Sequence, residues 1–226
     1  MSAVTVIPIE GVPEIEAGDD LAALILATDV ELLPRDVLVV AQKVVSKAED
    51  RFVEAKDRTG AALRESTRVL RKQGDMIISQ TRHGFVCANA GVDASNVEGD
   101  RVVLLPLDPD LSARRIRARV AHLREIDIGV VVADTFGRAW RIGQTNVAIG
   151  VAGFDPFVDY VGETDVFGQE LVATRICVAD QIAGAAEMVM KKTTGICAAV
   201  VRGAEVSWGR GAAGSIVRPP GEDLFR

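Results

Sequence analysis

The run Val130-Val131-Val132-Ala133, followed at once by Asp134 and Thr135, constrains this chain more than any other stretch. Four apolar residues without alternation describe a strand covered on both faces, not one with a wet side. Such a strand is expected to end where its polar residues begin, which puts Asp134 and Thr135 at the mouth of a crevice. A carboxylate beside a hydroxyl offers hard oxygen ligands to a divalent cation. Arg138 and Arg141 add forked donors suited to phosphate or carboxylate. Gly137, Gly143 and Gly150 let the backbone turn tightly or approach a ligand, and a second buried strand is expected from Val147. A plainer reading of the same residues is a strand, a loop of solvated arginines and another strand.

The rest of the chain alternates short strands and helices. A strand is expected over residues 4–9, then a turn, a helix capped by Asp19 or Asp20, and a buried strand over 36–41. Gln42, Lys43, Ser46 and Lys47 follow it and bring two ammonium groups near a strand end. Residues 61–72 read as a helix with Leu63, Val69 and Leu70 on its apolar face, stopped by Gly74. Segments 76–79 and 85–90 read as paired strands, with His83 in the turn between them, where a histidine is ordinarily solvated; His122, on a helix, is read the same way. Asp93 follows the second of these strands, in a segment whose residue types also suit an Asx-type turn.

After a strand over 102–105, Asp108-Pro109-Asp110 carries a cap, a first-turn proline and an acidic residue. Leu111, Ile116, Val120 and Leu123 form the core stripe of that helix, with its arginines outside. A last helix, capped by Asp180 and bearing Ile182, Ala186 and Val189, runs to Lys191-Lys192, where cations match the helix dipole. A final strand is expected over 197–201. Residues 203–214 are too rich in glycine for a regular element, although Trp208-Gly209-Arg210-Gly211 looks like a phosphate-cradling loop.

Composition narrows the function classes. A net charge of −6 argues against a general nucleic-acid binder, so anionic substrates would need locally placed cations. With 4% aromatic residues the core must rely on Val, Ile, Leu and Ala. Cys87, Cys177 and Cys197 make neither a close pair nor a metal spacing, which suits a reducing cytoplasm. No signal peptide and no apolar run of membrane-spanning length is visible, so no membrane partner is expected.

The string Asp134-Thr135-Phe136-Gly137-Arg138-Ala139-Trp140-Arg141, with Gly143-Gln144-Thr145 and Ala148-Ile149-Gly150-Val151-Ala152-Gly153 after it, closely resembles the signature of the coenzyme F-420:L-glutamate ligase family. Ala90-Gly91-Val92-Asp93-Ala94-Ser95-Asn96 resembles a second, separately placed signature of that family. Further matches at 42–47, 160–171 and the terminal Arg218-Pro219 and Glu222-Asp223-Leu224-Phe225-Arg226 extend the likeness over essentially the whole chain. Gln42 stands where Ser or Thr is usual, Lys191 where Gly is, and Ile142 and Asn146 where Asn and Asp are more frequent.

The resemblance implies a mixed α/β, more strictly α+β, two-subdomain fold that is neither Rossmann nor P-loop, and no Walker or dinucleotide fingerprint is present. It implies one domain over residues 1–226 with two intimately packed subdomains, no fused nitroreductase-like domain, and an intertwined homodimer. The implied activity is GTP-dependent, successive addition of γ-linked L-glutamate to the lactyl carboxylate of the F-420 precursor through an acyl phosphate. Mg²⁺ or Mn²⁺ is the implied divalent metal, with K⁺ as a further cation. By the same resemblance Asp93, Asp134 and Thr135 hold metal, and Asp93, Asp134 and Lys47 carry the catalysis. Val12, Pro13, Glu14, Ile15, Gln42, Lys47, Asn96, Lys192 and Thr193 meet the nucleotide. The rival readings are a metal-dependent nucleotide or phosphate-ester hydrolase and a non-catalytic GTP-binding subunit.

Overall fold

Runs of Val, Ile and Ala that alternate between two covered faces build the centre of the protein, seen in a computed structural model that describes residues 3–54, 57–94 and 100–224. Strand β1 (Thr5–Ile9) leads through α1 (Leu21–Leu26) to β2 (Val37–Ala41), which passes without a loop into α2 (Gln42–Ala48). Next come β3 (Phe52–Glu54), α3 (Arg58–Glu65), β4 (Ser66–Gln73), β5 (Met76–Thr81), β6 (Val86–Ala88) and β7 (Arg101–Val103). The chain returns through α4 (Pro109–Arg124), the hairpin of β8 (Gly129–Arg138) and β9 (Arg141–Ala152), and a ribbon of β10 (Phe157–Asp159) and β11 (Arg175–Cys177). Helix α5 (Val178–Met190) and β12 (Ala198–Arg202) follow.

The main sheet runs β1-β12-β2-β8-β9, and β2 with β8 is its one parallel pair. Val37, Val39, Val131, Ala199 and Val201 pack under α5 against Ala179, Ile182, Ala183 and Ala186. Leu38, Val40, Val130, Val132 and Val200 pack on the opposite face with Leu21, Ile25, Ile116 and Val120 of α1 and α4. The run through Val132 is therefore covered on both faces, and each such buried side chain contributes about 1.5–3 kcal/mol of transfer free energy. A smaller core of Ala61, Ala62, Ile77, Val92, Val102 and Leu104 lies in the part of the chain between α2 and α4. One mainly antiparallel sheet with helices on both faces, beside smaller sheets, makes the fold α+β.

Three sequence expectations change. The helix expected over 61–72 stops at Glu65, and Ser66 begins a strand paired with β5. Ser66 Oγ donates to the Ala62 carbonyl at 2.6 Å and lies 2.7 Å from Ser79 Oγ, so the hydroxyl closes the helix and opens the ladder. The apolar face invoked for that helix is absent: Leu63 and Val69 are 46% and 43% exposed. Second, β8 does not end at Asp134. Its ladder with β9 continues through Phe136↔Thr145 and Gly137↔Gln144, so the hairpin projects beyond β2, whose last residue, Ala41, lies opposite Ala133. Third, α5 starts at Val178 with Asp180 inside its first turn, where Oδ1 accepts the Ala148 N–H at 2.9 Å and joins helix to sheet instead of capping.

Asp108 and Pro109 start α4 as expected, Asp108 Oδ1 accepting from the Leu111 N–H at 2.8 Å. Asp110 acts as a clasp. Its Oδ1 accepts from the N–H groups of Val151 (2.8 Å) and Ala213 (2.7 Å), and its Oδ2 from Gly214 (3.2 Å). Pairing shifts from Val132↔Gly150 to Ala133↔Ala148, which leaves Ile149 as an extra residue on β9. At Gly150 a Cβ would lie 2.3 Å from the Pro109 carbonyl oxygen, so glycine alone lets α4 approach. The glycine-rich segment after β12 packs Trp208 edge-on to Phe154, at the far end of the sheet from Asp134. Among the described residues no helix is long and apolar enough to cross a membrane.

Candidate active site

Parallel pairing of β2 with β8 sets Ala41 beside Ala133, so Gln42 and Asp134 both lie just past the same end of the parallel pair. Because α2 begins directly after Ala41, the strand fixes the helix's rotation, and Lys43 and Lys47, four residues apart, share one face. Lys43 Nζ lies 2.8 Å from Asp93 Oδ2. Asp93 arrives from the smaller sheets. A left-handed turn at Asn89 and Ala90 (φ 51° each) precedes it, and its backbone N–H and C=O both pair with Val103.

Asp134 is half-buried by the surrounding side chains. Burial pushes its carboxyl up to about 7; the negative charge of Asp93 acts in the same direction, while the Thr135 N–H and the charges of Lys192 and Lys43 act against it. The structure thus brings the two expected carboxylates into one site and surrounds them with lysines.

Thr135 faces Asn146 across the β8–β9 ladder and donates to its Oδ1 at 2.6 Å. Lys192, just past the end of α5, donates to Thr135 Oγ1 at 2.5 Å and to Asn146 Oδ1 at 3.3 Å, and pairs with Glu187 Oε1 at 2.7 Å. Glu187 Oε2 in turn accepts the Asn146 N–H at 2.8 Å. Thr193 is exposed in the turn that follows.

Lys47 is 7% exposed and forms an ion pair with the exposed Glu14. An incoming anion can replace that carboxylate without moving the ammonium. Pro13 is exposed, whereas Ile15 is in the core and Val12 packs against it, so those two residues can meet a nucleotide only through their backbone. Gln42 is buried, and its Oε1 accepts from Ser46 Oγ at 3.0 Å, which ties its carbonyl to α2. Asn96 lies outside the described residues.

Arg138 and Arg141 are not brought to Asp134. They sit at the exposed hairpin tip, where Arg138 donates to the Ile142 carbonyl at 3.0 Å. The four residues from Asp134 to Arg138 span roughly 13 Å of strand. His83 is half-buried, not a free loop side chain: it stacks on Phe85 with ring centroids 5.6 Å apart, and its Nε2 lies 3.1 Å from the Leu107 carbonyl oxygen. Sequence reasoning missed Glu187. A signal was present, since Asp180 and Glu187 are two helical turns apart on a helix with no other charged residue, and both accept N–H groups of β9.

Among the described residues no three His, Cys, Asp or Glu side chains gather to enclose a metal ion. Two carboxylates, Asp93 and Asp134, nevertheless fit a hard cation such as Mg²⁺, which commonly takes one or two carboxylates and completes its shell with phosphate oxygens and water.

Fold and site together define an α+β protein with an anion-handling site of paired carboxylates and lysines at the end of a parallel strand pair. The model of the family described as F420-0:Gamma-glutamyl ligase matches residues 11–62 and 56–203, and the chain belongs to that family. It is 40% identical to the coenzyme F420:L-glutamate ligase of Methanothermobacter thermautotrophicus, over 99% of each chain. It is 41% identical to the ligase of that name from Archaeoglobus fulgidus, over 99% of this chain and 96% of the relative. The Methanopyrus kandleri protein of the same name is 39% identical, over the full length of both.

Proposed function

We propose that this protein is a GTP-dependent ligase that joins L-glutamate, through its amine, to the lactyl carboxylate of the F-420 precursor and then to the γ-carboxylate of each product. The observation that carries the reading is the meeting of Asp93 and Asp134 with Lys43 and Lys192 beside them, in a chain that belongs to this family. The physical problem is joining anions. The acceptor carboxylate oxygen attacks the γ-phosphorus and GDP leaves. The glutamate nitrogen then attacks the acyl carbon, phosphate leaves, and the amine gives up its proton.

Lys47, paired with Glu14, suits the role of holding phosphates in line, and Lys43 lowers the repulsion that the carboxylates would exert on them. Asp93 and Asp134 would hold Mg²⁺ or Mn²⁺, which when bound supplies Lewis-acid neutralisation of phosphoryl charge. K⁺ belongs to the same proposal as a counter-ion, supported by a net charge of −6 that leaves bound phosphates short of cations. Val12 to Ile15 would meet GTP through their backbone, with Gln42, Asn96, Lys192 and Thr193 the remaining contacts.

Because the acceptor ends in a carboxylate before and after each addition, one site can act repeatedly. A homodimer is part of the reading. Trp140, Ile142, Val166 and Phe167 are 81%, 101%, 93% and 87% exposed, apolar surface of the kind that a second subunit covers. Solution size should correspond to about twice the 24.1 kDa chain. A cytoplasmic location is supported by three free thiols.

The test is time-resolved mass spectrometry of the precursor, GTP, glutamate and Mg²⁺ or Mn²⁺ with the full chain. A ladder of γ-glutamyl products is expected. GTP hydrolysis that is equally fast without precursor and glutamate would establish the hydrolase instead, and tight GTP binding without turnover the binding subunit.

A further inference from the structure

The Thr135 hydroxyl was expected to bind metal, and its surroundings argue otherwise. Its proton goes to Asn146 Oδ1 at 2.6 Å, and it accepts from the Lys192 ammonium at 2.5 Å. A metal ion on that oxygen would face a fixed positive charge across a single atom. We propose that the Lys192 ammonium, not a metal ion, supplies the positive charge at the Thr135 end of the site, where it receives a phosphate or carboxylate oxygen of the substrates. The inference rests on the reading of Asp93 and Asp134 as carboxylates that hold a divalent cation.

Three contacts fix where the charge stands. Glu187 Oε1 lies 2.7 Å from Lys192 Nζ, Thr135 Oγ1 2.5 Å and Asn146 Oδ1 3.3 Å. Glu187 is itself held, since its other oxygen accepts the Asn146 N–H at 2.8 Å, so helix α5 and strand β9 jointly set the ammonium's position. Glu187 and Asn146 are therefore positioning residues for Lys192. The Lys192 side chain remains 56% exposed and open to an anionic ligand, and the 3.3 Å bond to Asn146 is the longest of the three and the readiest to be exchanged for a ligand oxygen. A tethered monovalent cation changes what the site must recruit: the divalent ion is needed only between Asp93 and Asp134, and the second positive centre travels with the protein.

The test is Mn²⁺ binding to the full chain, followed by calorimetry and by the spin-resonance signal of free Mn²⁺, with a non-hydrolysable GTP analogue present. About one Mn²⁺ per wild-type chain is expected, and Thr135→Val should keep the Mn²⁺ affinity within about two-fold. Lys192→Gln should gain a second ion or bind the first about ten-fold more tightly, because it replaces a cation with an oxygen donor. Thermal melts of both variants separate these effects from misfolding. Two ions on the wild type, with one lost in Thr135→Val, would overturn the inference and leave the metal reading standing. No Mn²⁺ on either the wild type or Lys192→Gln would overturn both.

Discussion

Replacing Asp134 by Asn should stabilise the metal-free protein at neutral and alkaline pH. Burial first, and the charge of Asp93 second, raise the Asp134 carboxyl from 3.8 to about 7. A raised carboxyl means that between those values the folded protein holds a proton that the unfolded chain has lost. Stability therefore falls as pH rises from about 4 to about 7 and is level above that. A change of this size sets a ceiling of about 4 kcal/mol. Asp134 keeps partial exposure and has Lys43 and Lys192 nearby to relax toward it, so about 1–3 kcal/mol is the expected cost at pH 8. Asn has the same shape and no charge, and the cost disappears with it. Urea unfolding of chelator-treated wild type and Asp134→Asn, at pH 4, 5, 6, 7 and 8 and constant ionic strength, should give stabilities that lie closest at pH 4, diverge steadily from there to about pH 7, and differ by that amount at pH 8. Added Mn²⁺ should close the gap by stabilising only the wild type. Parallel curves across the whole range, or a wild type more stable than the variant at pH 8 without metal, would refute the reasoning.

Asp93→Ala should lower glutamate ligation by about two to four orders of magnitude, measured as initial rate of product at saturating GTP, because it removes half of the carboxylate pair. Glu14→Gln removes the counter-charge that an incoming phosphate must displace from Lys47, so KM for GTP should fall about two- to five-fold, read from steady-state kinetics. Asp110→Ala strands the buried N–H groups of Val151 and Ala213 and should cost about 2–4 kcal/mol in urea unfolding, with Asp110→Asn losing less because one acceptor remains. Gly150→Ala should cost about 1–3 kcal/mol by pushing the start of α4 off the sheet, visible as a lowered Tm.

The centre of the fold was legible because burial on both faces leaves a run of Val without polar interruption, and Asp134 is the first residue past the end of β2. The length of β8 was not, since an exposed hairpin ladder satisfies its own backbone and needs no apolar pattern to continue. The helix placed over 61–72 failed for a related reason: β4 is largely exposed, so its pairing with β5 leaves little hydrophobic signature, and the decisive residue is the hydroxyl of Ser66. At the site, Asp93 and Asp134 could be named because each is the first charged residue after an apolar stretch, whereas their company depends on long-range register. Asn146 lies opposite Thr135 only through the pairing of β8 with β9, and Glu187 reaches it only because α5 lies along that hairpin. Arg138 and Arg141 suited phosphate by residue type and were misplaced by distance along the strand.

The joint between β2 and α2 makes the site sensitive to chain length as well as to residue identity. Ala41 still belongs to the sheet, its N–H bonded to the Cys197 carbonyl at 2.9 Å, and the next residue is already helical. One residue inserted there would rotate the helix by about 100°. Lys43 would swing away from Asp93 and Lys47 from Glu14 together, although no site residue had been replaced. This junction should therefore reject every insertion and deletion while accepting some exchanges of side chain, as Gln42 in a place where Ser or Thr is usual illustrates. Within one subunit, changes of length are more easily absorbed by the turns between β10 and β11, where Val166 and Phe167 face outward; there they would disturb the surface assigned to the second subunit and not the register of the lysines with the carboxylates.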